Sequence, residues 1–214
     1  MNYLNKQVKI LSKLVLLIFL FGVSAVSTNA ADSYVFGGPR VFYYDVEQSD
    51  VDQVATDLVN LGFSTASVEA NTGGIGFDFG VGFPMNDNID IETSFVYMGQ
   101  FKLTADMTGP TENLDATSSP WSIPVIAKIK IGDSDANFFA KAGWHFWRQN
   151  SQISSSKGSI DLYGTGNDAV LGFGGQVGNL QISYDHYNFS GVGAGMGIGE
   201  GGIGSLGISW SANF

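Results

Sequence analysis

The sequence predicts an all-β protein, an eight-stranded antiparallel up-and-down transmembrane β-barrel. Segments alternate between apolar and small or polar side chains and are separated by turn residues, which is the sequence signature of such barrels. The composition combines 29 glycines and 13% aromatic residues with only 14% charged residues, a mixture that disfavours helices and favours strands. Beyond the N-terminal region no segment is apolar for long enough to form a membrane-spanning helix, so a closed barrel is the structure left for crossing a bilayer.

The N-terminal region has the three parts of a secretory signal peptide. Three lysines precede an apolar run at residues 14–23, and a small-residue cleavage motif ends at Ala30. The alternative, a retained membrane anchor, is disfavoured because a spanning helix needs about 20 apolar residues. The chain has no cysteine, which excludes a lipoprotein anchor and disulfides. We therefore expect a signal peptide over residues 1–30 and one barrel domain over residues 31–214.

The charge of the mature chain argues against nucleic-acid binding. Removing the three signal lysines from ten basic residues leaves seven, against 20 acidic residues, for a net charge near −13. Nucleic-acid binding requires a basic surface that neutralises phosphates.

The first three predicted strands show the alternation most clearly. Strand one, over residues 33–45, places Arg40 opposite valine and tyrosine. Strand two, over residues 73–83, alternates isoleucine, phenylalanine and valine with four glycines and Asp78. Strand three, over residues 89–98, sets apolar side chains opposite acidic ones. Because successive side chains point to opposite faces of a strand, each of these has one apolar face.

The fourth and fifth predicted strands repeat this pattern on either side of a short turn. Strand four, at about residues 121–131, sets valine, alanine and isoleucine opposite Lys128 and Lys130. Strand five, at about residues 138–146, sets aromatic residues and alanine opposite Lys141. Polar side chains thus share the predicted inward face.

The last three predicted strands lie at residues 169–177, 180–189 and 204–214. The last of them carries leucine, isoleucine, Trp210 and Phe214 on one face, and serine, glycine and asparagine on the other. From the alternation we expect acyl chains to contact Phe77, Phe79, Phe95, Ile129, Ala142 and Ile208.

The connections alternate between short and long. Short ones are predicted near residues 84–88, 132–136 and 178–179, and long ones near residues 46–72, 99–120, 149–168 and 190–202. Both termini then lie at the end with the short turns. Such barrels have short periplasmic turns and long extracellular loops, so this pattern predicts the orientation. An eight-stranded barrel is just wide enough for its own side chains, so we expect a filled lumen.

The stretch at residues 141–147, the strand at residues 74–83 and the aromatic C-terminus resemble the OmpA-type, opacity-protein superfamily of small surface barrels. This resemblance implies export to the Gram-negative outer membrane. It also implies that Trp210 and Phe214 form an assembly signal for the barrel assembly machinery. Because the sequence stops at Phe214, the peptidoglycan-binding domain of OmpA proteins is not expected here.

Nine charged residues fall on the inward face of the predicted strands. One hypothesis makes them an ion path or gate, and the other makes them mutually neutralising charges that plug the lumen. We favour the plug because an unpaired buried charge is costly. Which acid pairs with which base is not predicted. The residues are Arg40, Asp78, Asp90, Glu92, Lys128, Lys130, Lys141, Asp168 and Asp185.

Neither catalysis nor a cofactor is expected. His186 and Ser190 resemble parts of a lipid A hydrolase site at a barrel rim, but the His-x-Ser spacing of those enzymes is absent. We interpret His186 as a rim histidine, and His145 lies on the inward face. Residues 133–137 resemble the start of a calcium loop but lack its glycine and its final glutamate, so no metal site is predicted.

The first long connection is predicted to contain a short amphipathic helix at about residues 51–61. Apolar residues recur there at helical spacing, and Ser49 with Asp52 resembles a capping box. This helix would pack on the barrel rim, lie on the outer leaflet or contact a partner.

From the sequence we expect a monomeric outer-membrane barrel with a structural or surface-interaction role and acidic extracellular loops. Its expected partners are outer-membrane lipid and lipopolysaccharide, with the assembly machinery during biogenesis. The first alternative is a narrow channel for small solutes or ions. The second alternative is a lipid A-modifying barrel enzyme.

Overall fold

The computed structural model describes residues 33–45, 51–52, 55–56, 59, 64–108, 113–133, 135–155, 158–189 and 201–214. Ten strands run through these residues, and every paired set is antiparallel. Their bounds are β1 (Tyr34–Tyr44), β2 (Ser64–Asn71), β3 (Gly73–Asn86), β4 (Ile89–Tyr97), β5 (Phe101–Thr108), β6 (Asn113–Gly132), β7 (Ala136–Ser155), β8 (Gly158–Val177), β9 (Leu180–Phe189) and β10 (Gly201–Asn213).

Eight of these strands close into a ring. The order around the ring is β1, β3, β4, β6, β7, β8, β9 and β10. The ring closes because β1 pairs with β10, from Tyr34 opposite Asn213 to Tyr44 opposite Ile203. The predicted eight-stranded antiparallel up-and-down barrel is therefore confirmed.

The remaining strands, β2 and β5, extend the barrel wall at one end. Only Thr72 separates β2 from β3, and residues 98–100 separate β4 from β5. Strand β2 pairs with β5, and β5 pairs with the first residues of β6, from Phe101 opposite Ser118 to Asp106 opposite Asn113. Strand β2 thus extends the line of β3, and β5 extends the line of β4, each beyond a short irregularity.

The extension forms a five-stranded surface, which we call the outer sheet. It consists of residues 64–71, 101–108, 113–120, 148–155 and 158–167. Strands β6, β7 and β8 have 20 residues each, whereas a bilayer is crossed by about 9–11 tilted residues. The sequence-based expectation of loops at residues 99–120 and 149–168 is therefore wrong. These segments are mostly strand. Because they are rich in serine, threonine and asparagine, their two faces differ little in polarity, and the alternation that predicts a strand is weak.

Short turns and both ends of the described chain lie at the opposite end of the barrel. Asn88 donates its backbone N–H to Asn86 Oδ1 at 2.9 Å in the β3–β4 turn. Gly178 has a left-handed φ of 54° in the β8–β9 turn, a conformation that suits glycine. The N–H of Phe214 donates to the carbonyl of Ser33 at 3.0 Å. In barrels of this class the short turns face the periplasm, so we expect the outer sheet to face the cell exterior.

The outward face of the ring is apolar. Phe77, Phe79, Phe95, Ile129 and Ile208 are between 41% and 62% exposed, and Ala142 is also exposed. These six side chains lie on the face predicted for them from the alternation.

Glycines on the inward face of β3 make room for aromatic rings of β1. A Cβ atom on Gly76 would lie 2.7 Å from the Phe42 ring, and one on Gly80 would lie 2.7 Å from the Phe36 ring. The alternation of phenylalanine and glycine in β3 therefore serves both faces, with phenylalanine toward lipid and glycine beneath inward rings.

The predicted loop helix and signal peptide fall mostly outside the described residues. Of residues 51–61, Val51, Asp52, Ala55, Thr56 and Val59 are described, and all five are helical. Residues 1–30 lie outside the described residues. Within the part of the chain that the structure describes, no helix is long and apolar enough to cross a membrane.

Candidate functional site

The interior of the barrel collects the nine charged residues predicted for it. Eight of them are buried, each no more than 8% exposed. The Lys130 side chain, at 20% exposed, is partly open. Two of their ion pairs, Arg40–Asp185 and Lys141–Glu92, join strands that are not neighbours in the ring, so these contacts reach across the lumen.

Arg40 is the centre of the first ion-pair cluster. Its Nε donates to Asp78 Oδ2 at 2.9 Å, and its Nη1 donates to Asp185 Oδ2 at 2.6 Å. Its remaining donors reach Ser183 Oγ at 2.7 Å and Ser205 Oγ at 2.8 Å. Strands β1, β3, β9 and β10 supply these groups, so one guanidinium joins four strands. The planar guanidinium group of arginine carries several N–H donors, so it can donate to several acceptors at once.

Glu92 is the centre of the second cluster, which lies nearer the periplasmic end. Lys128 Nζ lies 3.2 Å from Glu92 Oε1, and Lys141 Nζ lies 3.2 Å from Glu92 Oε2. The Tyr34 hydroxyl donates to Glu92 Oε1 at 2.7 Å. Lys128 also donates to Gln181 Oε1 at 2.8 Å. One carboxylate thus forms ion pairs with two lysines inside the lumen.

Asp90 extends the second cluster toward the rim. Lys130 Nζ lies 2.7 Å from Asp90 Oδ1, and the Tyr34 hydroxyl oxygen also lies 3.0 Å from Asp90 Oδ2, so its one proton is shared between Glu92 and Asp90. The phenol of Tyr34 therefore connects the two acids of β4.

Asp168 lies nearer the outer end of the lumen than the centres of the two clusters. It accepts a hydrogen bond from Trp147 Nε1 at 2.8 Å and is paired across the β7–β8 ladder with His145. The nine predicted residues are thus arranged as two ion-pair clusters with Asp168 in a third, outer layer.

A cluster of aromatic side chains, which we call the aromatic cap, lies at the outer end of the lumen, and it was not predicted from the sequence. Trp147 packs against Phe189 with ring centroids 5.1 Å apart, and Tyr44 packs against Phe101 at 5.4 Å. Phe42 and Met98 are fully buried beside them. The sequence does carry a signal for this cap, because aromatic residues occupy inward-facing positions at the outer ends of the strands.

A small pocket lies beside the aromatic cap. This pocket, beside Phe101, Ser118, Gln149 and Phe189, has a volume of about 20 Å³, which is room for about one water molecule. The amide of Gln149 donates to Ser118 Oγ at 2.6 Å, so the polar groups of this layer bond one another.

The two histidines lie on opposite faces of the wall. His145 is fully buried, and its Nε2 lies 2.7 Å from the carbonyl oxygen of Asn188. His186 is half-buried on the outward face of β9. Ser190 lies outside the described residues. Within the described part of the chain, no group of three or more histidine, aspartate or glutamate side chains is arranged to hold a metal ion.

The two residues of the predicted assembly signal lie on the outside near the periplasmic rim. Trp210 is 61% exposed and Phe214 is 66% exposed. Their role in assembly stays a prediction.

Comparison with solved structures shows that the fold of this chain is that of known barrels. Ail, the attachment invasion locus protein of Yersinia pestis, is 14% identical, with 85% of this chain and 99% of Ail covered at a TM-score of 0.50. The chain has the fold of the small outer-membrane β-barrels. Neisserial surface protein A is 13% identical, with 85% and 97% covered at a TM-score of 0.46. OprG from Pseudomonas aeruginosa is 10% identical, with 86% and 97% covered at 0.43.

No family model matches the chain, and no curated protein matches it. The resemblance to OmpA-type barrels noted from the sequence is confirmed at the level of the fold. This fold, with its apolar outward face, places the protein in the Gram-negative outer membrane.

Proposed function

We propose that this protein is a monomeric, non-conducting outer-membrane barrel with a structural or surface-interaction role. The observation that supports the proposal is that two ion-pair clusters lie in the interior beneath an aromatic cap. A barrel closed in this way presents its outer sheet and loops to the exterior and does not pass solutes.

The charges of the interior support a plug because they satisfy one another. Arg40 meets two carboxylates, and Lys128 and Lys141 share Glu92. Separating such a pair would leave an uncompensated charge in a poorly solvated interior. An ion that entered the lumen would have to displace these contacts.

The arrangement of small inward residues weighs against the channel alternative. An open path lined by glycine and serine would favour a pore. A Cβ atom on Gly76 would instead meet the Tyr97 carbonyl oxygen and the Phe42 ring, and the hydroxyls of Ser183 and Ser205 accept hydrogen bonds from Arg40.

The positions of the histidines weigh against the lipid A-modifying alternative. A catalytic base must reach its nucleophile. His145 is buried in the lumen with Nε2 engaged by a backbone carbonyl, and His186 lies on the outward face. We therefore propose a non-enzymatic protein.

The outer sheet supports a surface role with an acidic character. Its outward face carries Glu69, Asp106, Asp115 and Asp161, with Lys102 paired to Asp115 at 3.1 Å. Hydrogen bonds from Lys102 and Thr104 lower the pKa of Asp115, which keeps this carboxyl ionised. We propose outer-leaflet lipid and lipopolysaccharide as its surroundings and the barrel assembly machinery as its partner during biogenesis.

Single-channel recording of the purified, refolded protein in planar bilayers tests the closed lumen. We expect no discrete conductance steps from the parent. A double variant, Glu92→Ala with Lys128→Ala, removes the centre of the second cluster and should show steps more often. Reproducible steps of one size from the parent across independent preparations would establish the channel alternative.

A further inference from the structure

The imidazole of His145 is fully buried at the outer end of the lumen. Its Nε2 lies 2.7 Å from the carbonyl oxygen of Asn188. A carbonyl oxygen only accepts hydrogen bonds, so Nε2 carries a hydrogen and donates it. The other ring nitrogen, Nδ1, is buried and has no hydrogen-bond partner among the described residues. The neutral imidazole fits this site, because a hydrogen on Nδ1 would point at no acceptor.

The hydrogen bond from His145 joins strands that are not neighbours in the ring. His145 lies on β7 and Asn188 on β9, with β8 between them. The β8–β9 ladder ends at Val170 opposite Tyr187, one residue before Asn188. Strand β9 stays paired with β10 as far as Phe189. The side chain of His145 therefore holds the ends of both strands at the outer end of the lumen.

The ring of His145 is also in contact with the aromatic cap. It packs in a T-shaped arrangement against Tyr187, with ring centroids 5.3 Å apart, and against Phe189 at 5.1 Å. Phe189 packs in turn against Trp147 at 5.1 Å. A change in the position of the imidazole therefore reaches the rings of the cap directly.

The charged and titratable groups around His145 come from three strands. Strand β8 contributes Asp168, which lies opposite His145 in the β7–β8 ladder and whose charge acts on the imidazole. Strand β9 contributes the phenol of Tyr187, which interacts on its other side with Arg40. The inward-facing charge of β7 itself is Lys141, four residues away, and β6 places a proline opposite His145. Asp168 is thus the group toward which an imidazolium would turn.

A proton added to His145 would have no acceptor in the closed arrangement. It would be carried by Nδ1, and a buried charged group without a hydrogen-bond partner is costly. The carboxylate of Asp168 accepts a hydrogen bond from Trp147 Nε1 at 2.8 Å, so a movement of this carboxylate toward Nδ1 disturbs Trp147. Water reaches Nδ1 only if the rings of the cap separate. Both responses to the proton therefore change the surroundings of Trp147.

We propose that His145 is an acid-sensitive latch, which holds the outer end of the lumen closed at neutral pH and releases β9 and the aromatic cap when the imidazole is protonated. Histidine is the side chain whose ordinary pKa lies close to neutrality. The cap lies at the end of the barrel that we expect to face the cell exterior, so the latch would respond to acid outside the cell. The proposal rests on the proposed closed lumen and adds the condition that loosens it.

Quenching of Trp147 fluorescence by acrylamide tests the latch, because this indole is 3% exposed and acrylamide is uncharged at every pH used. The chain has four tryptophans. The full mature protein in nanodiscs would therefore carry Trp121→Phe, Trp144→Phe and Trp210→Phe. We expect quenching to rise from that of a buried indole toward that of an exposed one as the pH falls. The midpoint should lie within about one unit of pH 6.5, the ordinary value for histidine.

The two histidines of the chain provide matched variants. In the single-tryptophan protein, His145→Gln keeps an N–H donor for Asn188 but does not titrate, so quenching should be independent of pH. His186→Gln removes the outward histidine and should leave the pH response unchanged. A response that survives in His145→Gln, or that is lost in His186→Gln, would overturn the proposal. So would a response that is absent before either change, or a midpoint near about pH 4, where carboxyl groups titrate.

Nitrogen-15 NMR of the unsubstituted protein supplies a second readout that needs no variant to fold. At neutral pH we expect His145 to be the tautomer with its hydrogen on Nε2. The backbone amide signals of residues 187–189 should shift with the same midpoint as the imidazole. An imidazole that titrates while these amides stay unchanged would overturn the latch. A closed barrel whose cap ignores pH would contradict this inference alone, whereas conduction at neutral pH would contradict the proposed function.

Discussion

At the residue scale, Phe79 tests which face of the barrel meets lipid. It lies in the middle of β3 and is 62% exposed on the outward face. Arginine at the bilayer midplane of such a barrel costs about 2–4 kcal/mol. We therefore expect Phe79→Arg to lower the free energy of unfolding by that amount, measured by denaturant titration in lipid bilayers.

Phe138 provides the matched control for this substitution. It is an outward phenylalanine, 77% exposed, beside the periplasmic turn. Because the cost of a charge falls to about 0–1 kcal/mol near the interface, Phe138→Arg should be tolerated. An unchanged Phe79→Arg together with a destabilised Asp78→Arg would mean that the two faces are inverted.

Glu92 tests the energetic role of the interior charges. Glu92→Gln leaves Lys128 and Lys141 without their shared carboxylate, and breaking a buried pair costs about 3–5 kcal/mol. We expect a loss of that size in the free energy of unfolding. The control Glu69→Gln changes an exposed glutamate of β2 and should stay within about 0.5 kcal/mol. A loss no larger than that of the control would show that the cluster adds little to stability.

The alternation of apolar and polar residues was enough to predict that the nine charged side chains face inward, because successive side chains of a strand point to opposite faces. It was not enough to predict partners. Arg40 and Asp185 are 145 residues apart and meet across the lumen. Their contact depends on the stagger of the whole ring, which no single strand encodes.

At the element scale, the glycines of β3 test the packing of the inward face. A Cβ atom on Gly76 would come within 2.7 Å of the Phe42 ring and would also collide with the Tyr97 carbonyl oxygen. Overpacking of this kind costs about 1–3 kcal/mol, so Gly76→Ala should lower the free energy of unfolding. The control is Gly73→Ala, where the nearest heavy atom is 3.9 Å away. Equal stability of the two variants would contradict the assignment of Gly76 to ring packing.

The last strand, β10, makes a separate prediction about assembly. Phe214 is exposed at the rim, and its main-chain N–H is the atom that reaches Ser33. We expect deletion of Phe214 to reduce the amount of barrel inserted in cells more than it reduces the stability of the refolded barrel. Immunoblotting of outer-membrane fractions measures the first effect and denaturant titration the second. Parental levels of the deletion variant in cells would count against an assembly signal.

The elements that alternation predicted are those with lipid on one side. There apolar contrast between the faces is large, as in β3. The outer halves of β6 and β7 have water on their outward face, and runs such as residues 149–152 contain only polar side chains. The two-residue alternation of apolar and polar side chains is then hard to detect. These segments were therefore predicted to be loops. The aromatic cap was missed for a related reason, since inward aromatic rings look like interfacial ones in the sequence.

At the scale of the whole molecule, the sequence predicts a net negative charge for the outer end of the protein. About eleven acids lie in or beside the long connections: Asp45, Glu47, Asp50, Asp52, Asp57, Glu69, Asp106, Glu112, Asp115, Asp161 and Glu200. Only Lys102, Arg148 and Lys157 oppose them there. Lipopolysaccharide phosphates are negative as well, so direct contact between the two is repulsive unless a cation lies between them.

Divalent cations should therefore stabilise the protein in lipopolysaccharide-containing bilayers. Calcium and magnesium prefer carboxylate and phosphate oxygens, and diffuse bridging needs no dedicated site. We expect a chelator to lower the thermal unfolding temperature in such bilayers and to have a much smaller effect in detergent, where the phosphates are absent. The alternative is that the acids only keep the outer surface soluble. In that case the chelator would act equally in both settings, and the bridging hypothesis would be wrong.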